Sequence, residues 1–477
     1  MSDIKIYSLH MGKAKCAVDL GDGSERGEYV NQDYILRKLG RPHRGINLMY
    51  CYYPLDEGWP VRASVAFPPT DKTNAWGYPY DDYFPYRGGL NGDKNAEVFE
   101  QMRDIRRHGQ DIVFTLTVDP HVSDEHLIAI AEDMRPFGRV LMRINHEATG
   151  SWFSFNKRCT YKEVADFFTR FAKIIHEHAP NVQTILCAGC VEHHTEGKLE
   201  MEELFLEAAK ETDIWSLDKY FTLNYGYPNN IAEKGGPGFT YNGNAPVWDA
   251  AKATIERYRE ITGQDKPLVM SELNTDGDVT GPYDQAKMVR AFCDRLVEEK
   301  AEWLSAFTFY QFRDQGRLGL EWEDPNNKDV GVELPMLKEY KEIINQDWFK
   351  PEMTVGEEIT LPAKLRWGGA EDAEGIAIPI RFEADPVFCE LFFKGDDNLM
   401  IEINGQWFYK SPDAKFIDLI PAFFENRLDG AKDITMKIFA PPASGENDVA
   451  GSVDTYSTIT ELPDIRIRYE AVVPFTY

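Results

Sequence analysis

Two glutamates, each placed where an apolar run gives way to a polar loop, are the residues in this sequence best suited to chemistry. The segment RINHEATGSWFSF, Arg143 to Phe155, follows the apolar VLM and carries Glu147 next to His146. The run KPLVMSE ends at Glu272 and passes into the polar LNTDGD. Two carboxyl groups facing one another suit cleavage of a glycosidic bond: one, kept protonated, protonates the leaving oxygen, and the other attacks the anomeric carbon. A gap of about 5–5.5 Å between them would make such an enzyme retaining, by way of a covalent glycosyl-enzyme. The neighbours then gain roles. Arg143 would hold the attacking carboxylate ionised through its positive charge. His146 would hold a substrate hydroxyl or orient Glu147, and Trp152 and Phe153 would form a platform for a sugar ring.

Such glutamates need a scaffold that brings distant strand ends together. Over residues 1–350, β-rich runs alternate with amphipathic helical patterns. The runs are IKIYSL (4–9), INLMYCYY (46–53), DIVFTLTV (111–118), RVLMRIN (139–145), VQTILCAG (182–189), DIWSLDKYF (213–221), KPLVMSE (266–272) and LSAFTFYQF (304–312). Patterns such as YKEVADFFTRFAKIIHEH between them repeat apolar residues at helical spacing, with charges opposite. Eight strands alternating with helices predict a (β/α)8 TIM barrel, whose reactive residues come from the C-terminal ends of its strands. Glu147 falls just past the fourth strand and Glu272 at the end of the seventh. An open doubly wound sheet is the competing topology, but it usually carries a Gly-rich phosphate loop after an early strand, and none occurs here. Past Trp348 the pattern changes to short alternating runs such as GIAIPIRF and LMIEINGQWFY, broken by Pro, Gly and Asp. The expectation is a catalytic barrel over residues 1–350 and a β-sandwich over 351–477, either a structural cap or a carbohydrate-binding module.

Composition narrows the ligand class. A formal net charge of −27 disfavours a nucleic acid or an anionic membrane surface as partner. Aromatic residues make up 13% of the chain, which suits sugar rings that stack on aromatic faces. A carbohydrate substrate is therefore expected, with no cofactor and no metal. No stretch approaches the roughly 20 apolar residues that span a bilayer. The start lacks the basic and apolar regions of a secretory signal, and the seven cysteines are odd in number and mostly within apolar runs. A cytoplasmic location is expected on those grounds, or a secreted one if a leader has been removed. Oligomeric state is left open.

The residues Arg143, His146, Glu147, Gly150, Trp152 and Phe153 spell R-x-x-H-E-x-x-G-x-W-F. That pattern resembles the acid/base motif of glycoside hydrolase family 26, clan A barrels that include β-mannanases. Most clan A families have Asn before the acid/base glutamate, whereas family 26 has His, as here. The resemblance implies a retaining β-glycosidase with Glu147 as acid/base and Glu272 as nucleophile. It also implies that Tyr220, in Asp218-Lys219-Tyr220, donates a hydrogen bond to the nucleophile. By order it covers most of residues 1–350, but only 143–153 is distinctive. The chain departs from the family pattern at Ser154-Phe155, where a second tryptophan pair is usual. It departs again at Tyr310, where the eighth strand would end in tryptophan. These departures bear on the substrate more than on the mechanism. Other β-glycosidase specificities, such as β-xylanase, β-glucanase or exo-acting enzymes, and a non-catalytic carbohydrate-binding protein are the alternatives.

Plainer readings stand beside each assignment. Glu147 could be a solvated strand-end carboxylate, Glu272 a salt-bridged one, Arg143 only an internal ion-pair partner, and Tyr220 a core tyrosine replaced in function by Tyr225 or Tyr227. The loop at 76–89 carries Trp76, Tyr78, Tyr80, Tyr83, Phe84 and Tyr86, either as a sugar-subsite wall or as a hydrophobic mini-core. Tyr225, Tyr310 and Trp322 are further candidate substrate contacts. His146-Glu147 does not open a zinc-protease H-E-x-x-H, because residue 150 is glycine. Cys187 and Cys190 with His193 and His194 look more like a zinc cluster, but two residues three apart on a strand point to opposite faces. The acidic 324–329 segment lacks full calcium-ligand spacing. Trp407, Phe408 and Trp367 in the C-terminal module are expected to pack rather than to bind sugar.

Overall fold

The structure is a computed structural model. It describes residues 5–6, 9–12, 14–22, 29–61, 84–150, 153–189, 199–223, 240–242, 244–275, 281–314, 319–324, 326–350, 352–356, 363–366, 375–382, 388–392, 398–419, 421–424, 433–441, 456–459 and 464–468. The chain divides into two compact units. Cys16–Phe349 forms one, and Met1–Lys15 together with Lys350–Tyr477 forms the other.

The first unit is a closed (β/α)8 barrel. Its strands are β1 (Ala17–Gly21), β2 (Gly45–Tyr52), β3 (Asp111–Val118), β4 (Val140–Ile144), β5 (Val182–Cys187), β6 (Ile214–Leu223), β7 (Leu268–Thr275) and β8 (Leu304–Phe309). Neighbours pair in parallel around the ring, and β8 closes on β1 with Ala306 opposite Ala17 and Phe309 opposite Leu20. All eight residues of β2, of β3 and of β7 are buried, as a sheet covered on both faces requires. The helices are α1 (Gln32–Leu39), α2 (Glu97–Arg107), α3 (Asp124–Met134), α4 (Tyr161–His178), α5 (Leu199–Glu211), α6 (Asn244–Thr262), α7 (Pro282–Glu298) and α8 (Pro335–Ile344). Helix α4 shows how local sequence sets these elements. Thr160 and Glu163 form a reciprocal capping box, and Val164, Phe167, Phe168, Phe171 and Ile175 turn one buried stripe to the strands. Among the described residues no helix is long and apolar enough to cross a membrane.

Seven of the eight expected barrel strands are present, and the first is displaced. The run at 4–9 does not enter the barrel: Lys5–Ile6 pairs with Ile376–Ala377, and Leu9–Gly12 pairs with both Glu352–Val355 and Ile380–Phe382. The true first strand, AVDLG, is short and carries Asp19 in its middle, so its apolar pattern is broken. Asp19 is buried there because Arg44, also buried, bonds to it. Asp111, at the start of β3, extends the same charge cluster to Arg106 at 2.9 Å and to Arg139. The expected division at 1–350 and 351–477 is therefore corrected at its N-terminal end, where residues 1–15 belong with the second unit.

That second unit is built from sheets, as expected of a β-sandwich. The largest runs in the order Glu352–Val355, Leu9–Gly12, Ile376–Phe382, Asp433–Phe439, Leu399–Ile403, Gln406–Lys410. A second joins Phe416–Asp418, Phe388–Phe392 and Asp464–Arg468. Leu399, Ile401 and Ile403 alternate with half-buried residues, so one face of the large sheet is the core side. The packing expectation for Trp407 is not met: on the last strand Trp407 and Tyr409 stand on the exposed side, with Phe408 half-buried between them. Trp367 lies outside the described residues.

Candidate active site

The site forms where β4, β6 and β7 end. Arg143 lies on β4 opposite Thr115 of β3, fully buried, and its side chain crosses to the strands that follow. One guanidinium nitrogen donates to Glu272 Oε1 at 2.8 Å, and the other bonds Asp218 of β6. Asp218 and Glu272 are register partners on adjacent parallel strands, so a single arginine spans both. Burial works against the Arg143 charge, but Asp218 and Glu272 outweigh it and hold the guanidinium well above its ordinary range. Tyr220, two residues beyond Asp218 on β6, donates its hydroxyl to Glu272 Oε2 at 2.7 Å. Burial, then the charge of Glu272, pushes the Tyr220 phenol well up, so it stays a donor. Each oxygen of Glu272 thus accepts one fixed hydrogen bond, and lone pairs remain for a reacting carbon.

Glu147 reaches the same place by a different route. Strand β4 stops at Ile144, and Asn145 turns out of it with a φ of 45° while its side chain pairs with the backbone of Val118 at the end of β3. Glu147 itself has a φ of 47°, in the left-handed region that non-glycine residues seldom adopt. Its carbonyl accepts from Gly150 N at 2.6 Å, closing a tight turn, and Ala148 N donates to Cys187 O of β5 at 2.8 Å. The outcome is a half-buried carboxylate: an oxygen of each of Glu147, Asp218 and Glu272 lies within 4.8 Å of the others. Three carboxylates so placed could hold a cation, but the Arg143 guanidinium already bonds two of the three. Asp218 was read from the sequence only as a neighbour of Tyr220; its contact with Arg143 is made between strands, beyond the reach of local pattern.

The remaining candidates separate. His146 is buried beside Arg143, and burial, reinforced by that positive charge, pulls its pKa well below the usual histidine value. Its ring meets Phe153 edge-on, 4.6 Å between centroids, and Phe153 stacks on Phe155 at 5.3 Å. Phe153 is only 2% exposed, so it backs His146 and offers no open face to a sugar, contrary to the platform expected of it. Tyr310, also buried, stands edge-on to Tyr220 at 6.4 Å. Tyr86 belongs to the mini-core reading of its loop: it is buried against Tyr52, Phe99 and Phe114, and its hydroxyl donates to Asp133 at 2.6 Å. Phe84 of the same loop is exposed. Trp322 stands half-buried in a hairpin, opposite Val332. Trp76, Tyr78, Tyr80, Tyr83, Trp152, Cys190, His193, His194, Tyr225 and Tyr227 lie outside the described residues.

No protein-family model matches the chain, and no curated protein matches it in sequence. Solved structures similar to it include a glucosidase from Croceicoccus marinus, at 10% identity and a TM-score of 0.45, covering 93% of this chain and 100% of that one. A modular endo-beta-1,4-mannanase from Cellulomonas fimi aligns at 12% identity and a TM-score of 0.43, over 96% of this chain and 94% of that one. A monomeric beta-xylosidase from Caulobacter crescentus aligns at 12% identity and a TM-score of 0.45, over 92% and 100%.

Proposed function

We propose that this chain is a retaining β-glycoside hydrolase in which Glu147 is the acid/base and Glu272 the nucleophile. The observation that carries the reading is the pairing of unlike carboxylates at one spot. Glu272 is pinned at both oxygens by Arg143 and Tyr220, while Glu147 approaches it within 4.8 Å from a separate turn. Oxygens of the two groups that lie no more than 4.8 Å apart fit a pair flanking one sugar carbon. That spacing is shorter than the roughly 6.5–9.5 Å that an inverting enzyme needs for its water. In the first step Glu147 gives its proton to the leaving oxygen as a Glu272 oxygen bonds the anomeric carbon. In the second, Glu147, now a carboxylate, takes a proton from water, which displaces Glu272 and restores both groups. Arg143 and Tyr220 hold the two Glu272 oxygens in place for attack, and their hydrogen bonds meet the charge that returns to the carboxylate as it leaves. A β-mannan-type polysaccharide or oligosaccharide is the substrate we favour, on the strength of the R-x-x-H-E-x-x-G-x-W-F resemblance.

Replacing Glu272 by Ala tests the nucleophile. Turnover should vanish, and azide should restore it with formation of a glycosyl azide of inverted configuration. A product of retained configuration, or a fully active variant, would remove Glu272 from that role. Screening the wild type against mannan, xylan and β-glucan, with product analysis, tests the substrate; cleavage of xylan or glucan in preference to mannan would overturn that part.

A further inference from the structure

We propose that Asn156 is a positioning residue for the acid/base: its side-chain amide holds the turn that carries Glu147. The inference rests on the glycosidase reading above and concerns what keeps the proton donor in place. Glu147 projects from a turn whose backbone is in an unfavourable region, and such a turn persists only when its surroundings hold it there. On one side β5 supplies the hold, through Cys187 O to Ala148 N and Ala188 O to the Thr149 hydroxyl. On the other side Phe153 N donates to Gly150 O at 3.3 Å, and the Asn156 side chain spans both flanks of the turn. Asn156 Nδ2 donates to Ala148 O at 3.0 Å and to Gly150 O at 2.7 Å, so both amide protons are spent on carbonyls flanking the same turn. Asn156 is itself fixed, because it sits on the helical turn Ser154–Lys157. Arg158 ties that turn down. Its Nε donates to Ser154 O at 3.3 Å, and its two Nη groups grip Asp56 at 3.0 Å each, with a further bond to Asp119 at 2.7 Å. Asp56 follows β2 and Asp119 follows β3, so the orientation of the acid is referred back to two other strand ends.

The arrangement predicts a defect confined to proton donation. A glycoside with a good leaving group departs without an acid, whereas a poor one needs the proton delivered along the bond being broken. For Asn156→Ala, kcat/KM on an aryl β-glycoside series should fall by about tenfold or more for the poorest leaving group. It should fall less than about threefold for the best, which steepens the leaving-group dependence. Equal losses across the series, or none, would overturn the proposal. Asn156→Asp is the second variant: of similar shape, it sets a carboxylate oxygen against carbonyls that need donors, and should show the same steepening. Hydrogen exchange over residues 145–150 gives a readout free of catalysis. It should quicken in both variants while exchange in β4 and β7 stays as in the wild type; unchanged exchange at 145–150 would overturn the brace. Wild-type protein inert toward every glycoside would instead overturn the glycosidase reading, and the exchange result would still decide whether Asn156 holds the turn.

Discussion

Glu147 holds its carboxylate from a backbone with a φ of 47°, and the position favours glycine over any L side chain. Glu147→Gly and Glu147→Ala both remove the proposed proton donor, so both should lose activity on poor leaving groups. They should differ in stability: at an ordinary helix or strand position Ala is the better residue, but here Gly should be more stable by about 1 kcal/mol. Denaturant melts of the two variants measure it, and an Ala variant equal to or above the Gly variant would show that the turn is unstrained. His146 makes a second claim at this scale. Its folded pKa is depressed, with burial the leading cause, while in the unfolded chain it returns to about 6.5. The stability this contributes is complete above pH 6.5 and is lost as pH falls toward the folded value, with a slope of at most about 1.4 kcal/mol per pH unit. His146→Gln removes that proton uptake, so the drop in stability between pH 7 and pH 5 should be smaller in the variant; equal drops would mean that His146 binds its proton as readily in the fold as in the unfolded chain.

At the scale of elements, the C-terminal mouth of the barrel is tied by side chains as well as by its strands. Arg158 lies over the Tyr53 ring at 4.5 Å while its guanidinium bridges Asp56 and Asp119. Arg158→Ala should cost about 2–4 kcal/mol, because two partly enclosed carboxylates lose their partner at once. Arg158→Lys should recover little of it, since an ammonium cannot reproduce the paired bond to Asp56. Thermal melts of the three proteins check both statements, and a lysine variant near wild type would reduce the contact to simple charge. Much of this level was readable in the sequence. The buried strands β2 to β8 announced themselves as apolar runs, and Arg143, Glu147, Tyr220 and Glu272 were placed by strand ends and by the motif. β1 was not readable, because Asp19 makes sense only once Arg44 is beside it. Asp218 and Asn156 escaped for the same reason: their bonds join separate elements, and periodicity carries no record of partners. Phe153 was misjudged because a ring beside a sugar and a ring beneath a histidine look alike in sequence.

At the scale of the molecule, residues 1–15 and 350–477 make one unit around the insertion of a whole barrel. Leu9–Gly12 is an inner strand of the large sheet, bonded on both sides. Removing residues 1–15 should therefore unsettle the second unit and spare the barrel. Two-step calorimetry should show the second unit's transition lowered or lost and the barrel's unchanged; a barrel transition that falls instead would refute the division. A fragment of residues 16–349 should retain turnover on short glycosides, which a simple activity assay checks. The same topology sets an order of events during synthesis. Leu9–Gly12 leaves the ribosome before its partners at 352–355 and 376–382, which emerge some 340 and 370 residues later. At about 5–20 residues per second that strand waits roughly 17–70 s with its edges unsatisfied, a span in which the barrel can close before the sheet exists. The polar His10 within that strand, with the basic Lys5 ahead of it, keeps the waiting stretch from being wholly apolar, where an apolar edge would invite the wrong neighbour.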